Sequence, residues 1–247
     1  MGNALYLIEE TDKAIEHYKI AIDMNPNKAE SYYNLGNALC IKAEFEKAIL
    51  NYKKTIDLDP YNAPAFYNLG NALYDMGEPK EAIEYYKKAL EIDQKLSDVH
   101  YNMGNALYLI EETDKAIEHY KIAIDMNPNK AESYYNLGNA LCIKAEFEKA
   151  ILNYKKTIDL DPYNAPAFYN LGNAYYMINE FDKAIFAYQN ALRLNPESAE
   201  CNFNLASAYN DKGEIDNALY HYRQSRKYDD KNPETFVNIG AILEQQK

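Results

Sequence analysis

Apolar residues return along this chain in two alternating stripes. Tyr32, Leu35, Gly36 and Leu39 stand at i, i+3, i+4 and i+7, and so do Phe168, Leu171, Gly172 and Tyr175. That spacing predicts one buried face of an amphipathic helix. A polar break follows, and a second helical segment then carries Ala48, Tyr52 and Thr55. The pair recurs every 34 residues. With Ala29 as position 1, Gly2, Gly36, Gly70, Gly104, Gly138, Gly172 and Gly240 share position 8, and Gly77 and Gly213 share position 15. Pro26, Pro60, Pro128, Pro162 and Pro196 share position 32, where they are expected to end the second helix. Position 16 is Glu from Glu10 to Glu214, suited to the positive start of a second helix. Thr11 and Thr113 beside it are expected as N-caps. Lys53 and Lys54, late in that helix, complement its carbonyl end.

The frame predicts a single array over 1–247. It holds a partial repeat 1–28, full repeats 29–62, 63–96, 97–130, 131–164, 165–198 and 199–232, and a terminal helix 233–247. Small residues at positions 8, 10 and 20 let two helices approach, and large ones at 4, 7, 11 and 24 fill the surrounding space. A lone hairpin cannot bury both faces, so each unit needs a neighbour.

Aromatic-4, Leu-7, Gly-8, Leu/Tyr-11, Ala-20, Tyr-24, Ala/Thr-27 and Pro-32 together resemble the tetratricopeptide repeat (TPR), in register over the whole chain. The resemblance implies an all-α, right-handed superhelical solenoid of antiparallel helix pairs whose first helices line the concave face. Departures are Gln94 and Asp230 at position 32, Thr55, Thr157 and Ser225 at 27, Asn202 at 4 and Ala206 at 8, so 199–232 is the most divergent unit. Residues 1–72 recur unchanged at 103–174, an offset of three repeats, which predicts two copies of one surface. Met1 falls at position 7 and Lys247 at position 15, as expected of a fragment of a longer chain, and the uncapped terminal repeats favour end-to-end self-association.

The formal net charge of −12 argues against nucleic acid or an anionic membrane as partner. No apolar run reaches the roughly 20 residues of a membrane helix. Cys40, Cys142 and Cys201 form no CxxC pair, which fits a reducing, cytoplasmic setting. His17, His119 and His221 all fall at position 23 and His100 at position 4; spaced by whole repeats, they are expected to be structural. Neither a phosphate loop nor a metalloprotease or hydrolase motif occurs. The expectation is a non-catalytic protein with no cofactor or metal.

At 100° per residue, positions 2, 6, 9 and 13 lie opposite the buried stripe, flanked by 5 and 12. The resemblance makes that face a ligand groove. Its residues are Tyr33, Asn34 and Asn37; Tyr67, Asn68 and Asn71; Tyr101, Asn102 and Asn105; Tyr135, Asn136 and Asn139; Tyr169, Asn170 and Asn173; and Phe203 and Asn204. An amide offers donors and an acceptor to an extended peptide backbone, and tyrosine adds area at low entropy cost. Alternatively, these residues only stabilise the stack. Replacing Asn68, Asn102, Asn136 and Asn170 by Ala is expected to weaken binding with helicity nearly intact.

TPR modules that grip the chaperone C-terminal carboxylate need cations at positions 2, 5 and 6. Here position 2 is Glu30, Pro64, Asp98, Glu132, Pro166, Glu200 or Glu234, so a neutral or basic protein segment is favoured. The Asn row is also similar to the superhelical arm of O-linked N-acetylglucosamine transferase. The functional expectation is therefore a protein-interaction scaffold. The alternatives are a substrate-recruiting arm of a larger enzyme, or a structural spacer.

Overall fold

The computed structural model describes residues 2–245, with side chains for 10–244. Among them are fourteen α-helices: α1 (Gly2–Met24), α2 (Ala29–Ile41), α3 (Phe45–Leu58), α4 (Ala63–Asp75), α5 (Pro79–Ile92), α6 (Ser97–Leu109), α7 (Thr113–Met126), α8 (Ala131–Ile143), α9 (Phe147–Leu160), α10 (Ala165–Met177), α11 (Phe181–Leu194), α12 (Ala199–Lys212), α13 (Ile215–Tyr228) and α14 (Pro233–Gln245). They form two compact units, Met1–Pro128 and Asn129–Lys247, divided inside the loop between α7 and α8 so that no hairpin is split.

In each unit a first and a second helix pair into a hairpin, and hairpins stack on their neighbours. Adjacent first helices touch (α2 with α4, α4 with α6; α8 with α10, α10 with α12), whereas no two second helices meet to that extent among the described residues. The first helices thus crowd the inner side of each stack.

The packing follows from one repeated contact. Tyr52, Tyr86, Tyr120, Tyr154 and Tyr188 of the second helices are all but sealed from solvent. Each ring lies across the glycine at position 8 of its own hairpin, so close that a Cβ on Gly36, Gly70, Gly104, Gly138 or Gly172 would stand 2.5–2.7 Å from a ring carbon. Glycine is therefore needed here for space, not for backbone freedom. The divergent hairpin takes a different solution. Ala206 replaces the glycine, and the Phe203–Tyr222 rings meet edge-on at 5.4 Å and 67°, against 6.1 Å and 42° for Tyr67–Tyr86.

Several local expectations change. The turn inside each hairpin places position 15 in the left-handed region whatever the residue: Gly77 and Gly213, but also Ala43, Glu111, Ala145 and Asn179. The second helices start at position 17 with Glu, not Thr, at the N-cap; Thr113 is the first residue of α7 behind Glu112. Thr11 lies within α1, which runs unbroken through residues whose identical copy at 104–126 forms the end of α6, a turn and α7. The same string thus breaks only where it packs as a full hairpin. Second helices end at position 30 even where Gln94 or Asp230 replaces proline (α5 at Ile92, α13 at Tyr228). The last helical bond runs from the C-cap N–H to the carbonyl four residues earlier, such as Asp59 to Thr55 at 2.8 Å, and the helix stops because the C-cap backbone itself leaves the helical region (Asp59 φ −137°, ψ 87°). Lys53 and Lys54 fall short of the last turn of α3, which holds no cation. First helices gain caps from Asn62, Asn164 and Ser198, whose side chains accept from Ala65, Ala167 and Cys201 N–H.

Candidate peptide-binding faces

All seventeen residues expected to line a groove, from Tyr33 to Asn204, are half-buried on the first helices. Neither Tyr101 nor Asn102 is sealed in. Within each unit they are joined by one recurring network. In unit 1, Asn68 donates both Nδ2 hydrogens back to the preceding hairpin, to the Tyr33 hydroxyl at 3.1 Å and to Asn37 Oδ1 at 2.9 Å. Asn37 Oδ1 also accepts from the buried Tyr52 hydroxyl at 2.8 Å. One repeat on, Asn102 donates to Tyr67 at 3.0 Å and Asn71 at 2.9 Å, and Tyr86 donates to Asn71 at 2.8 Å. In unit 2, Asn170 donates to Tyr135 and Asn139 (3.1 and 3.0 Å), and Asn204 to Tyr169 and Asn173 (2.8 and 3.0 Å). Tyr154 and Tyr188 complete the clasps on Asn139 and Asn173, each at 2.8 Å. The upstream counterpart of the Asn34 clasp, Asn3, lies outside the described side chains.

The amides are thus spent first on holding hairpin to hairpin, the stack-stabilising role that was the alternative to a groove. The clasp leaves a defined remainder. Among the described residues, no protein partner is seen for Oδ1 of Asn68, Asn102, Asn170 and Asn204, or for Nδ2 of Asn37, Asn71 and Asn139, whereas the Asn173 amide also engages the Tyr169 oxygen. None of these atoms is sealed from solvent. The clasps of Asn68, Asn102 and Asn170 therefore present one open acceptor beside one open donor, and that of Asn204 presents an open acceptor.

Around the clasps the face is partly apolar. At position 13, Ile41, Leu109, Ile143 and Met177 are 56–68% exposed. The acidic position-2 row is exposed too, but partly engaged: Glu30 pairs with Lys28 at 2.8 Å, and Glu200 accepts from the Tyr169 hydroxyl at 2.6 Å. Burial pushes the clasp tyrosines well above the ordinary phenol range, which keeps them neutral donors. Burial likewise raises the Cys40 and Cys142 thiols, whose sulfurs sit 3.4 Å from Tyr52 and Tyr154 hydroxyls, and takes Cys201 to about 12. Such thiols are poor nucleophiles.

The histidines are not all isolated. His100 and His119 belong to one hairpin, where positions 4 and 23 meet, and their Nδ1 atoms stand 3.0 Å apart. The same pairing gives Phe66–Tyr85 stacking at 6.4 Å and the 3.0 Å His221–Asn202 contact. Burial holds both imidazoles of the His100–His119 pair below the ordinary 6.5, and the His100 charge depresses His119 further, with Glu118 opposing. Their folded values lie below the unfolded one, so this part of the stability is whole above about pH 6.5 and falls as acid protonates the unfolded chain first. The variant His100→Tyr/His119→Asn, which copies the native pair Tyr32 and Asn51, should lose less melting temperature between about pH 7 and pH 5 than the parent. Equal losses by differential scanning fluorimetry would contradict it. No group of three or more His, Cys, Asp or Glu is placed to hold a metal among the described residues. Among them, too, no helix is long and apolar enough to cross a membrane.

Comparison with known proteins agrees with this architecture. Tetratricopeptide repeat profiles match 63–96 and 165–198, which are two of the 34-residue frames, and also 85–118. A TPR repeat profile matches 2–40, 36–77, 104–142 and 138–179. The search of curated proteins finds no match. The solved structure of YrrB, described as a TPR protein with an unusual peptide-binding site, is 29% identical, covers 74% of this chain and 94% of its own, and superposes with a TM-score of 0.67. MamA is 33% identical over 67% of this chain and 97% of its own, with a TM-score of 0.64. The C-terminal part of a TPR repeat-containing protein from Cytophaga hutchinsonii shares the fold at 18% identity, covering 96% and 98% of the two chains with a TM-score of 0.77. The family profiles, the 33% identical relative and the hairpin geometry agree: this chain belongs to the tetratricopeptide repeat family, a fold of protein-interaction scaffolds.

Proposed function

We propose that each unit is a peptide-binding module that holds an extended segment along its first helices. The observation that carries this reading is the open acceptor and donor left by the clasps, Asn68 Oδ1 beside Asn37 Nδ2 and the equivalents at Asn102/Asn71 and Asn170/Asn139. A peptide backbone offers the complementary N–H and C=O, so the pairs read main chain rather than sequence. The exposed apolar residues at position 13 supply side-chain contact, and the carboxylates at position 2 favour a neutral or basic segment. The peptide-binding description of the 29% identical YrrB supports the mode.

Asn71→Asp tests it without breaking the clasp. The carboxylate still accepts from Tyr86 and Asn102, while the open donor becomes an acceptor. For a peptide selected from a displayed random library on the parent protein, affinity should fall about tenfold or more, with stability changed by under about 0.5 kcal/mol. Backbone N-methylation of that peptide should have a comparable effect. Unchanged affinity in calorimetry with both changes would refute backbone reading.

Self-association belongs to the same reading. On α14, Phe236, Val237 and Leu243 are exposed and no described atom lies near the Cβ direction of Gly240, where preceding hairpins carry a tyrosine from a second helix. That open face should drive end-to-end association, seen as a mass that rises with concentration in light scattering; a constant monomer mass would remove the idea.

A further inference from the structure

At an offset of 102 the two units diverge once the identical stretches 1–72 and 103–174 end, and in unit 2 several of the divergent residues line a pocket. Between α10 and α12, a cavity of about 340 Å³ is lined by Asn173, Tyr176, Met177, Tyr188, Phe203, Asn204 and Ser207. This lies at the small end of ligand pockets, roughly 300–1,000 Å³, with room for one large side chain. Its wall is less polar or less bulky than the copied positions of unit 1: Met177 stands where unit 1 has Asp75, Phe203 where it has Tyr101, and the smaller Ser207 where it has Asn105. Each replacement removes a charge, a hydroxyl or bulk. Ser207 turns away to the Tyr222 hydroxyl at 3.0 Å and the Phe203 carbonyl at 3.1 Å, so it offers little to a guest.

The pocket also contains one open backbone-reading acceptor, Asn204 Oδ1, whose Nδ2 is committed to Tyr169 and Asn173. Carboxylates bracket it along α12. Glu200 is one turn before Asn204, and Asp211 is one turn after Ser207, spacings that share a helix face. Both already accept from tyrosine, Glu200 from Tyr169 at 2.6 Å and Asp211 from Tyr176 at 2.5 Å, and so are fixed in position. A slot for an apolar side chain, a main-chain anchor within it and negative charge at both ends specify one kind of occupant.

We propose that this pocket is the specificity subsite of unit 2, taking a large apolar side chain of an extended peptide with lysine or arginine on either side. The inference rests on the peptide-binding reading and adds which segment unit 2 selects. The chain's own charge of −12 works in the same direction.

The test uses the whole chain and a fluorescein-labelled peptide, Gly-Lys-Gly-Lys-Phe-Lys-Gly-Lys-Gly, with two controls in which Phe becomes Ser or every Lys becomes Glu. Fluorescence anisotropy should show the Phe peptide binding at least about tenfold tighter than the Ser peptide, and the Glu peptide not binding. In Met177→Asp/Phe203→Tyr/Ser207→Asn, built from the unit 1 equivalents and checked for an unchanged helical melt, the preference for Phe over Ser should disappear. Glu200→Gln/Asp211→Asn should lower affinity for the lysine peptide and flatten its salt dependence. Equal binding of the Phe and Ser peptides to the parent chain overturns the pocket while leaving backbone reading intact. A Phe preference that survives the triple variant overturns this location. Failure of library selection to yield any binder at all sinks the underlying reading as well.

Discussion

Gly70→Ala should destabilise unit 1 by roughly 1–3 kcal/mol, although alanine is the better helix former by about 1 kcal/mol. The added methyl would sit 2.6 Å from Cε1 and 2.7 Å from Cδ1 of Tyr86. That ring is fully buried and its hydroxyl is pinned to Asn71, so it has nowhere to go. Overpacking therefore outweighs helix propensity. The chain supplies two internal controls. At Gly240, the same repeat position, an added methyl would find no described atom within 4 Å, so Gly240→Ala should stabilise by up to about 1 kcal/mol. Ala206 coexists with Tyr222 because Ser207 replaces asparagine and Asn238 donates to the Tyr222 hydroxyl instead, at 3.1 Å. Gly70→Ala/Asn71→Ser should accordingly recover part of the loss. Urea midpoints of the three variants check the set; a Gly70→Ala midpoint at or above the parent's would contradict the packing account.

Asn102→Ala should be the second severe change, at roughly 1–3 kcal/mol. It removes two hydrogen bonds between hairpins, to Tyr67 and Asn71, and leaves a void at a half-buried site. In a stacked array such nearest-neighbour contacts carry much of the cooperativity. The unfolding transition should broaden as well as shift, because hairpins on either side of the cut uncouple. Asn71→Asp, which keeps both acceptor bonds, should leave the transition sharp. Matching transitions for Asn102→Ala and the parent in circular dichroism would show the clasp to be energetically idle.

The fold was legible because its code is periodic. Glycine at position 8, tyrosine at 24 and the i, i+3, i+4, i+7 stripe recur in register, and the contact they make is local to one hairpin. The clasp was not, because a helical wheel treats each helix alone. On such a wheel Asn68 and Asn71 point away from the hairpin core, as they do, but the wheel cannot show that Asn68 meets neighbours 31 and 35 residues back and Asn71 one 31 residues ahead. The constant spacing from Asn37 to Asn68, and from Asn71 to Asn102, was the available signal. The His100–His119 pair escaped for a related reason: comparing histidines across repeats hides that positions 4 and 23 of one repeat touch. The left-handed turn at position 15 was visible only at Gly77 and Gly213, since Ala43, Glu111, Ala145 and Asn179 adopt it under tertiary constraint. The pocket of unit 2 was unreadable for want of depth: Met177, Phe203 and Ser207 look like scattered departures until α10 and α12 stand side by side.

Side-chain amide hydrogen exchange, followed by NMR on asparagine-labelled protein, reaches the centre of this account in one measurement. The NH₂ groups of Asn68, Asn102, Asn170 and Asn204 should exchange slowly, because both hydrogens are bonded. Those of Asn37, Asn71 and Asn139 should exchange near the free-amide rate, then slow when a selected peptide is added. Equal, fast exchange for both sets would mean that the clasps do not form in solution, and the open donor–acceptor pairs would lose their basis with them.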